Sequence, residues 1–165
     1  MIANYETFLK KLDENLALYF DAQKEHICCQ KGCSECCEKG DYPLTEIELM
    51  HLMQGHMKLE PKIKIQVQEN IKKMEKGGAC PYLVNKECSI YQYRPIICRV
   101  HGLAYKHLND KIKVPHCVKS GKNFAKIYEN GEIYIAPIKE NLDTLNILEG
   151  IEHGEMRNLY DWINH

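Results

Sequence analysis

Hydrophobic residues recur at steps of three and four near the start of the chain. Over residues 4–26 the large apolar side chains share one face, and charged residues occupy the other; the apolar residues are Tyr5, Phe8, Leu12, Leu16 and Tyr19. This spacing predicts an amphipathic helix that ends before the first cysteine. We therefore expect residues 1–26 to form an N-terminal helical segment.

Two further helices are predicted beyond a cysteine-rich stretch. Thr45 and Glu48 have the spacing of a capping box, so a helix should begin here and continue to about Gly55. Pro61 suits the first position of a third helix over residues 61–76, which carries an apolar stripe and ends before two glycines.

Short apolar runs alternate with turn-forming residues between positions 79 and 135, which is typical of β-hairpins. Three pairs of strands are predicted: residues 82–84 with 88–91, residues 102–107 with 111–114 around Asn109-Asp110, and residues 127–128 with 133–135 around Asn130-Gly131. Residues 138–163 are predicted to be helical, with a break near Gly150–Gly154. The predicted fold class is α+β, a mainly helical small domain with short β-hairpins and irregular cysteine loops around a metal cluster.

Length and charge limit the kind of protein this is. A chain of 165 residues is expected to form a single domain, 1–165. With 22 basic and 23 acidic residues it has no broad positive surface for nucleic acid. It begins with no export signal and contains no run of about 18 apolar residues. We therefore expect a cytoplasmic protein with no membrane partner.

Cysteine is the unusual feature of the composition, with nine residues in the chain. In a reducing cytosol, an odd number of thiols favours metal ligands or redox groups over disulfides. Five lie within ten residues, and the positions are Cys28, Cys29, Cys33, Cys36 and Cys37, followed by Cys80, Cys88, Cys98 and Cys117. Short spacings let one loop offer several thiolates to one ion. Thiolates favour zinc, iron–sulfur clusters or Cu(I).

The adjacent pair Cys36 and Cys37 limits how the thiols can be shared. Neighbouring side chains usually diverge, so we expect them to serve two metals, unless one of them bridges. Eight thiols would then form two four-ligand sites, or one cluster and a zinc site. Such sites are negatively charged, and Arg94 and Arg99 flank Cys98. These arginines either form ordinary ion pairs and carbonyl contacts or donate to a cluster thiolate or bound anion.

Histidine is the alternative ligand type. His26, His101 and His116 each lie within three residues of a cysteine. If one cysteine is not a ligand, His116 or His101 is the expected substitute.

Four motifs between residues 27 and 120 combine into a specific pattern. They are Cys29-x3-Cys33-x2-Cys36-Cys37, Leu44-Thr45-x-x-Glu48, Cys80-Pro81-Tyr82-Leu83 and Cys88-Ser89-Ile90-Tyr91-x-x-Arg94-Pro95-x-x-Cys98-Arg99, with Cys117 beyond them. The pattern resembles the YkgJ-type cysteine-cluster family, described as zinc- or iron-chelating domains. The family typically has eight cysteines, so the resemblance leaves Cys28 as an extra. It implies as metal ligands Cys29, Cys33, Cys36, Cys37, Cys80, Cys88, Cys98 and Cys117.

The purpose of the metal stays open at this point. The spacing Cys29-x3-Cys33-x2-Cys36 also occurs in radical S-adenosylmethionine enzymes, and some longer relatives are flagellin lysine methylases. The alternative function is therefore a 4Fe–4S protein with redox or methyltransferase-related activity. The chain is too short for the β/α barrel of the radical enzymes and has no Gly-rich nucleotide loop, so we expect it not to be an enzyme by itself. A thiol-redox enzyme would need an exposed, acidic thiol at Cys28 or Cys37.

Overall fold

The computed structural model describes residues 2–30, 32–107, 110–135 and 137–165. The α+β fold class is confirmed, since helices are combined with short antiparallel sheets. The helices in this part of the chain are α1 (Ile2–Ala22), α2 (Glu35–Glu38), α3 (Glu46–Met57), α4 (Pro61–Lys72), α5 (Ile96–Val100), α6 (Thr144–Ile147) and α7 (Leu159–Asn164). None of them is long and apolar enough to cross a lipid bilayer.

The strands are short and pair two by two. They are β1 (Pro43–Thr45), β2 (Leu83–Val84), β3 (Glu87–Cys88), β4 (Tyr105–Lys106), β5 (Ile112–Lys113), β6 (Tyr128–Glu129), β7 (Glu132–Ile133) and β8 (Met156–Asn158). The three predicted hairpins are confirmed as β2–β3, β4–β5 and β6–β7, with fewer paired residues than expected. Asn109, in the predicted turn of the second hairpin, lies outside the described residues.

Each of the other two hairpins reverses through a two-residue turn. Asn85 and Lys86 both have positive φ angles, 52° and 62°, and so do Asn130 and Gly131, at 51° and 89°. Two successive residues with positive φ form the turn whose twist matches that of paired strands. The local sequence therefore determines where these hairpins reverse.

The chain divides into two compact units, and each unit is made from two separate segments. Unit 1 contains Ala3–Gln30 and Arg99–Ile151, and unit 2 contains Lys31–Cys98 and Glu152–His165. The single-domain organisation expected from the length stays a prediction.

Unit 1 contains α1 and the hairpins β4–β5 and β6–β7. The helix buries an apolar stripe close to the predicted one, consisting of Tyr5, Leu9, Leu12 and Leu16. A second cluster of apolar side chains forms around Ala104, Val118, Phe124 and Ile133. The helix ends at Ala22, four residues before the predicted limit, and a 3-10 turn follows over Lys24–His26.

Unit 2 has a core of large apolar residues drawn from both of its segments. The buried members are Leu44, Leu52, Val67, Tyr82, Val84, Ile90 and Leu159. Helix α3 extends to Met57, two residues beyond the predicted end, and within it Gly55 lies against the Tyr93 ring. A Cβ at Gly55 would be 2.6 Å from a ring carbon, so only glycine allows this contact.

The predicted capping box of α3 is confirmed and has a further partner. Glu48 is 1% exposed, and its Oε2 accepts hydrogen bonds from the Thr45 amide at 2.7 Å and hydroxyl at 2.9 Å. Its Oε1 accepts a bond from the Ile96 amide at 2.8 Å. Ile96 is the first residue of α5, so this buried carboxylate joins the starts of two helices.

The C-terminal part differs from the predicted helical stretch. The break near Gly150–Gly154 is present, with positive φ angles of 79° and 72° at these glycines. Beyond it, however, residues Met156–Asn158 form strand β8, which pairs with β1 in the register Leu44 to Arg157. Backbone pairing to a distant strand decides this conformation, and no local pattern indicates it.

Candidate metal centre

The nine cysteines all lie in the described part of the chain, and none of them forms a disulfide. They divide between the two units. Unit 2 contains Cys33, Cys36, Cys37, Cys80, Cys88 and Cys98, and unit 1 contains Cys28, Cys29 and Cys117.

Helix α2 and the turn that follows it bring three of the unit 2 thiols together. Cys36 and Cys37 lie on the single turn of α2. The Cys80 amide donates a hydrogen bond to the Cys37 carbonyl, with a length of 2.8 Å. Gly40 allows this approach, since a Cβ there would be 2.5 Å from the Cys80 Cβ and 2.9 Å from the Cys37 carbonyl oxygen.

Two further thiols come from separate elements of unit 2. Cys88 ends the β2–β3 hairpin, where it is paired with Leu83. Cys98 lies on α5, whose first amide is held by Glu48. Together these positions define the five-thiol cluster, which consists of Cys36, Cys37, Cys80, Cys88 and Cys98.

The members of the five-thiol cluster influence one another's ionisation. Burial raises the pKa of Cys80 to about 12, and the charges of Cys88 and Cys36 add to the increase. Burial likewise raises the pKa of Cys98 well above its ordinary value, with further increases from the charges of Cys80, Cys88 and Cys36. The thiols are therefore close enough to repel each other when ionised, and a cation among them would relieve that repulsion.

Cys36 and Cys37 are in direct contact. Their Sγ atoms are 3.9 Å apart, and the hydrogen bond between them lowers the pKa of Cys36 to about 7 while raising that of Cys37. Four ligands held tetrahedrally at about 2.3 Å from zinc would have sulfur atoms about 3.8 Å apart. The expectation that these adjacent side chains diverge is therefore wrong, because their sulfur atoms are in contact, whereas the expectation that they serve two metals stays a prediction.

Arg94 is the cation beside the cluster. Its charge lowers the pKa values of Cys88 and Cys98, against a larger increase caused by burial. The guanidinium lies 3.5 Å from the centre of the Tyr91 ring, and its Nε donates to the Tyr91 carbonyl at 2.9 Å. These contacts hold the side chain in place, so its charge is fixed near the thiols.

Arg99, the other arginine predicted beside the metal, belongs to unit 1. Its buried guanidinium forms an ion pair with Asp13 on α1, with a nitrogen–oxygen distance of 2.5 Å.

The three unit 1 cysteines lie among the candidate histidines. Cys117 is buried on the 3-10 helix His116–Ser120. The rings of His101 and His116 have centroids 4.9 Å apart. Burial, with the nearby His116, lowers the pKa of His101 to about 4, so its ring is neutral at pH 7.

Two positions that contact the cysteines carry no clear signal in the sequence. Gly40 resembles any loop glycine until its contact with Cys80 is known. Asn123 lies beyond the motifs, yet it is fully buried and contacts both Cys28 and Cys29. An isolated asparagine has no spacing pattern that would identify it.

The donors suit a thiophilic metal ion, although they do not form a finished cage. In the described ranges no three Cys, His, Asp or Glu side chains are arranged to hold a metal ion. The fit is one of chemistry: soft sulfur donors in a group, two of them at tetrahedral spacing, beside a fixed positive charge.

Comparison with known proteins agrees with this chemistry. A family model named CxxCxxCC, described as a zinc- or iron-chelating domain, matches residues 28–132. The match covers more than half of the chain and includes every cysteine. No curated protein and no solved structure matches the chain.

Proposed function

Because the chain belongs to the CxxCxxCC family of zinc- or iron-chelating domains, we propose that the five-thiol cluster of unit 2 binds a single zinc ion. Metal chelation is the general property of the family. The identity of the ion, the number bound in this cluster and its ligands form the proposal.

The contact between Cys36 and Cys37 carries the proposal. Their Sγ separation of 3.9 Å is close to the edge of a tetrahedral zinc–thiolate site, about 3.8 Å. Both can then bind the same ion, and two of the remaining three thiols complete the site. The fifth cysteine stays beside the ion without binding it.

The electrostatics of the cluster favour a loaded state. Four thiolates and one zinc ion have a net charge of about −2, which Arg94 partly offsets. Because burial and mutual repulsion raise the pKa values of Cys80 and Cys98, these thiols are protonated without metal at pH 7. Loading therefore releases about three to four protons.

A zinc ion with four thiolate ligands has no open position for substrate or water. Such a site is structural, and its binding free energy contributes directly to folding. The proposed role of the unit 2 ion is therefore to join α2, the β2–β3 hairpin and α5. The chain is not proposed to be an enzyme by itself.

Metal analysis of protein purified without oxygen tests this function. We expect zinc bound to the cluster, and we expect cadmium replacement to produce sulfur-to-cadmium absorption. Single Cys→Ser variants at the five positions should lower zinc affinity strongly at four of them and leave one nearly unchanged. Ser89→Ala, which alters the neighbour of Cys88 but removes no thiol, is the matched control.

Two results would contradict the proposal. Iron together with inorganic sulfide, in place of zinc, would replace it with the iron–sulfur alternative. A zinc content that none of the five single substitutions lowers would show that the cluster does not bind the ion.

A further inference from the structure

Asn123 lies at the centre of unit 1 with every polar atom of its amide engaged. It is fully buried. Its Oδ1 accepts a hydrogen bond from the Cys28 amide at 2.9 Å, and its Nδ2 donates to the Gly102 carbonyl at 3.1 Å. A backbone amide can only donate and a carbonyl can only accept, so these two bonds fix which end of the side chain is nitrogen.

This fixed orientation directs the second N–H of Asn123 at a sulfur atom. Nδ2 lies 3.1 Å from the Sγ of Cys29. An N–H bond to sulfur is strongest when the sulfur is a thiolate, since bonds to a charged acceptor are the stronger kind. The sulfur atoms of Cys28 and Cys29 also lie near Oδ1, at 3.4 Å and 3.5 Å, but the contact of Cys29 with Nδ2 is shorter. The two adjacent cysteines are thus distinguished by their contacts with Asn123, since its N–H group faces the sulfur of Cys29.

Asn123 and its neighbour Lys122 contact the chain segments that carry three other candidate ligands. Gly102 follows His101 directly, and a Cβ at Gly102 would lie 3.5 Å from the Cys29 sulfur. Lys122, the neighbour of Asn123, donates its amide to the Cys117 carbonyl at 3.1 Å. Next to Cys117 is His116, whose ring packs against that of His101.

We infer that Cys29, His101, His116 and Cys117 form a second metal site in unit 1, a mixed thiolate–imidazole zinc site in which Asn123 positions Cys29. Two sulfur and two nitrogen ligands are a common set for structural zinc. Since these donors are not gathered at bonding distance in the described structure, binding requires their side chains to close around the ion. The surrounding backbone is already held by Asn123.

This inference deepens the proposed chelating function but uses different residues. Loss of the unit 2 ion and loss of the unit 1 ion can therefore be observed separately. Cobalt(II) distinguishes them, because a site with four sulfur ligands and a site with two sulfur and two nitrogen ligands absorb at different wavelengths and intensities.

The experiment measures cobalt and zinc equivalents in the full chain, prepared without oxygen. Wild type should bind two, and Cys36→Ser should keep one with the mixed-ligand spectrum. Cys29→Ser and His116→Gln should each remove the mixed-ligand spectrum and lower zinc affinity at that site at least tenfold. Cys28→Ser should retain it, because a serine hydroxyl can also donate to Asn123.

Asn123→Asp tests the positioning role. It keeps the shape of the side chain but replaces the N–H groups facing Cys29 with a carboxylate oxygen, so it should weaken cobalt binding at this site about tenfold and shift its sulfur-to-cobalt band. His26→Gln, in the same unit, should leave the band unchanged. Equal effects of Cys28→Ser and Cys29→Ser, or an unchanged mixed-ligand spectrum in His116→Gln, would overturn the assignment.

Discussion

Replacing Glu48 with alanine should destabilise unit 2 more than the loss of one surface carboxylate would. Glu48, Thr45 and Ile96 are each 1% exposed or less, so water does not readily replace the missing acceptor. The backbone amides of Thr45 and Ile96 would both be left unpaired, at a cost of about 1–3 kcal/mol each. Removing the carboxylate also removes the cost of burying it, which offsets part of this destabilisation. We expect the free energy of unfolding to fall by about 2–4 kcal/mol in total.

The effect should reach the metal, because Glu48 fixes the first turn of the helix that carries Cys98. Urea unfolding of zinc-loaded protein gives the stability, and competition with a chromophoric chelator gives the zinc affinity. Glu69→Ala, an exposed carboxylate on α4, should change stability by no more than about 0.5 kcal/mol. Equal unfolding midpoints for Glu48→Ala and Glu69→Ala would refute the reasoning.

The same carboxylate has a pH signature. Burial raises the pKa of Glu48 above its ordinary value of 4.5. The folded chain then binds this proton more tightly than the unfolded chain does, so its contribution to stability is complete below pH 4.5 and is lost as the pH rises through the raised pKa. Glu48→Gln should remove this part of the pH dependence, which is visible as the difference between the two unfolding profiles.

Three other substitutions probe the surroundings of the metal. Gly40→Ala should weaken zinc binding about tenfold or more, since the new Cβ would overlap the Cys80 Cβ; chelator competition measures it. Arg94→Gln should also lower zinc affinity, by about tenfold, through loss of the fixed positive charge, and Arg94→Lys should lower it less. Trp162→Phe loses the 2.9 Å hydrogen bond from its indole to the Leu44 carbonyl, and urea unfolding should show a loss of about 1 kcal/mol with the zinc content unchanged.

A control or a contrary outcome accompanies each of these three substitutions. Lys39→Ala, next to Gly40 but exposed, should bind zinc normally. If Arg94→Gln and Arg94→Lys weaken binding equally, the role of Arg94 lies in shape rather than in charge. A reduced zinc content in Trp162→Phe would show that this hydrogen bond supports the cluster as well as the core.

Local patterns in the sequence predicted the local structure well. The stripe that begins at Tyr5 gives α1, the spacing of Thr45 and Glu48 gives the cap of α3, and Asn130-Gly131 gives a tight hairpin. Each of these features depends on residues within a few positions of one another. The physical rules that govern them therefore operate on a short stretch of chain.

The parts that were missed depend on distant residues. Helix periodicity could not show that Met156–Asn158 would pair with β1, or that the Oε1 of Glu48 would hold the Ile96 amide. For the site, residue type predicts the cysteines to be metal ligands, and this stays a prediction, whereas only the structure divides them between two units. The contact between Cys36 and Cys37 was mispredicted, because a general rule for neighbouring side chains does not apply within the short turn of α2.

The pairing of β1 with β8 affects the order in which the protein is assembled. About 110 residues separate Thr45 from its partner Met156, and closing a loop of that length costs about 4 kcal/mol of chain entropy. At a synthesis rate of roughly 5–20 residues per second, Cys98 precedes β8 by about 3–12 s. A growing chain thus contains every thiol of the cluster before the strand that completes its sheet exists. Metal capture by the nascent chain would close the shorter loops among these thiols first, and the sheet would be completed around an ion already in place.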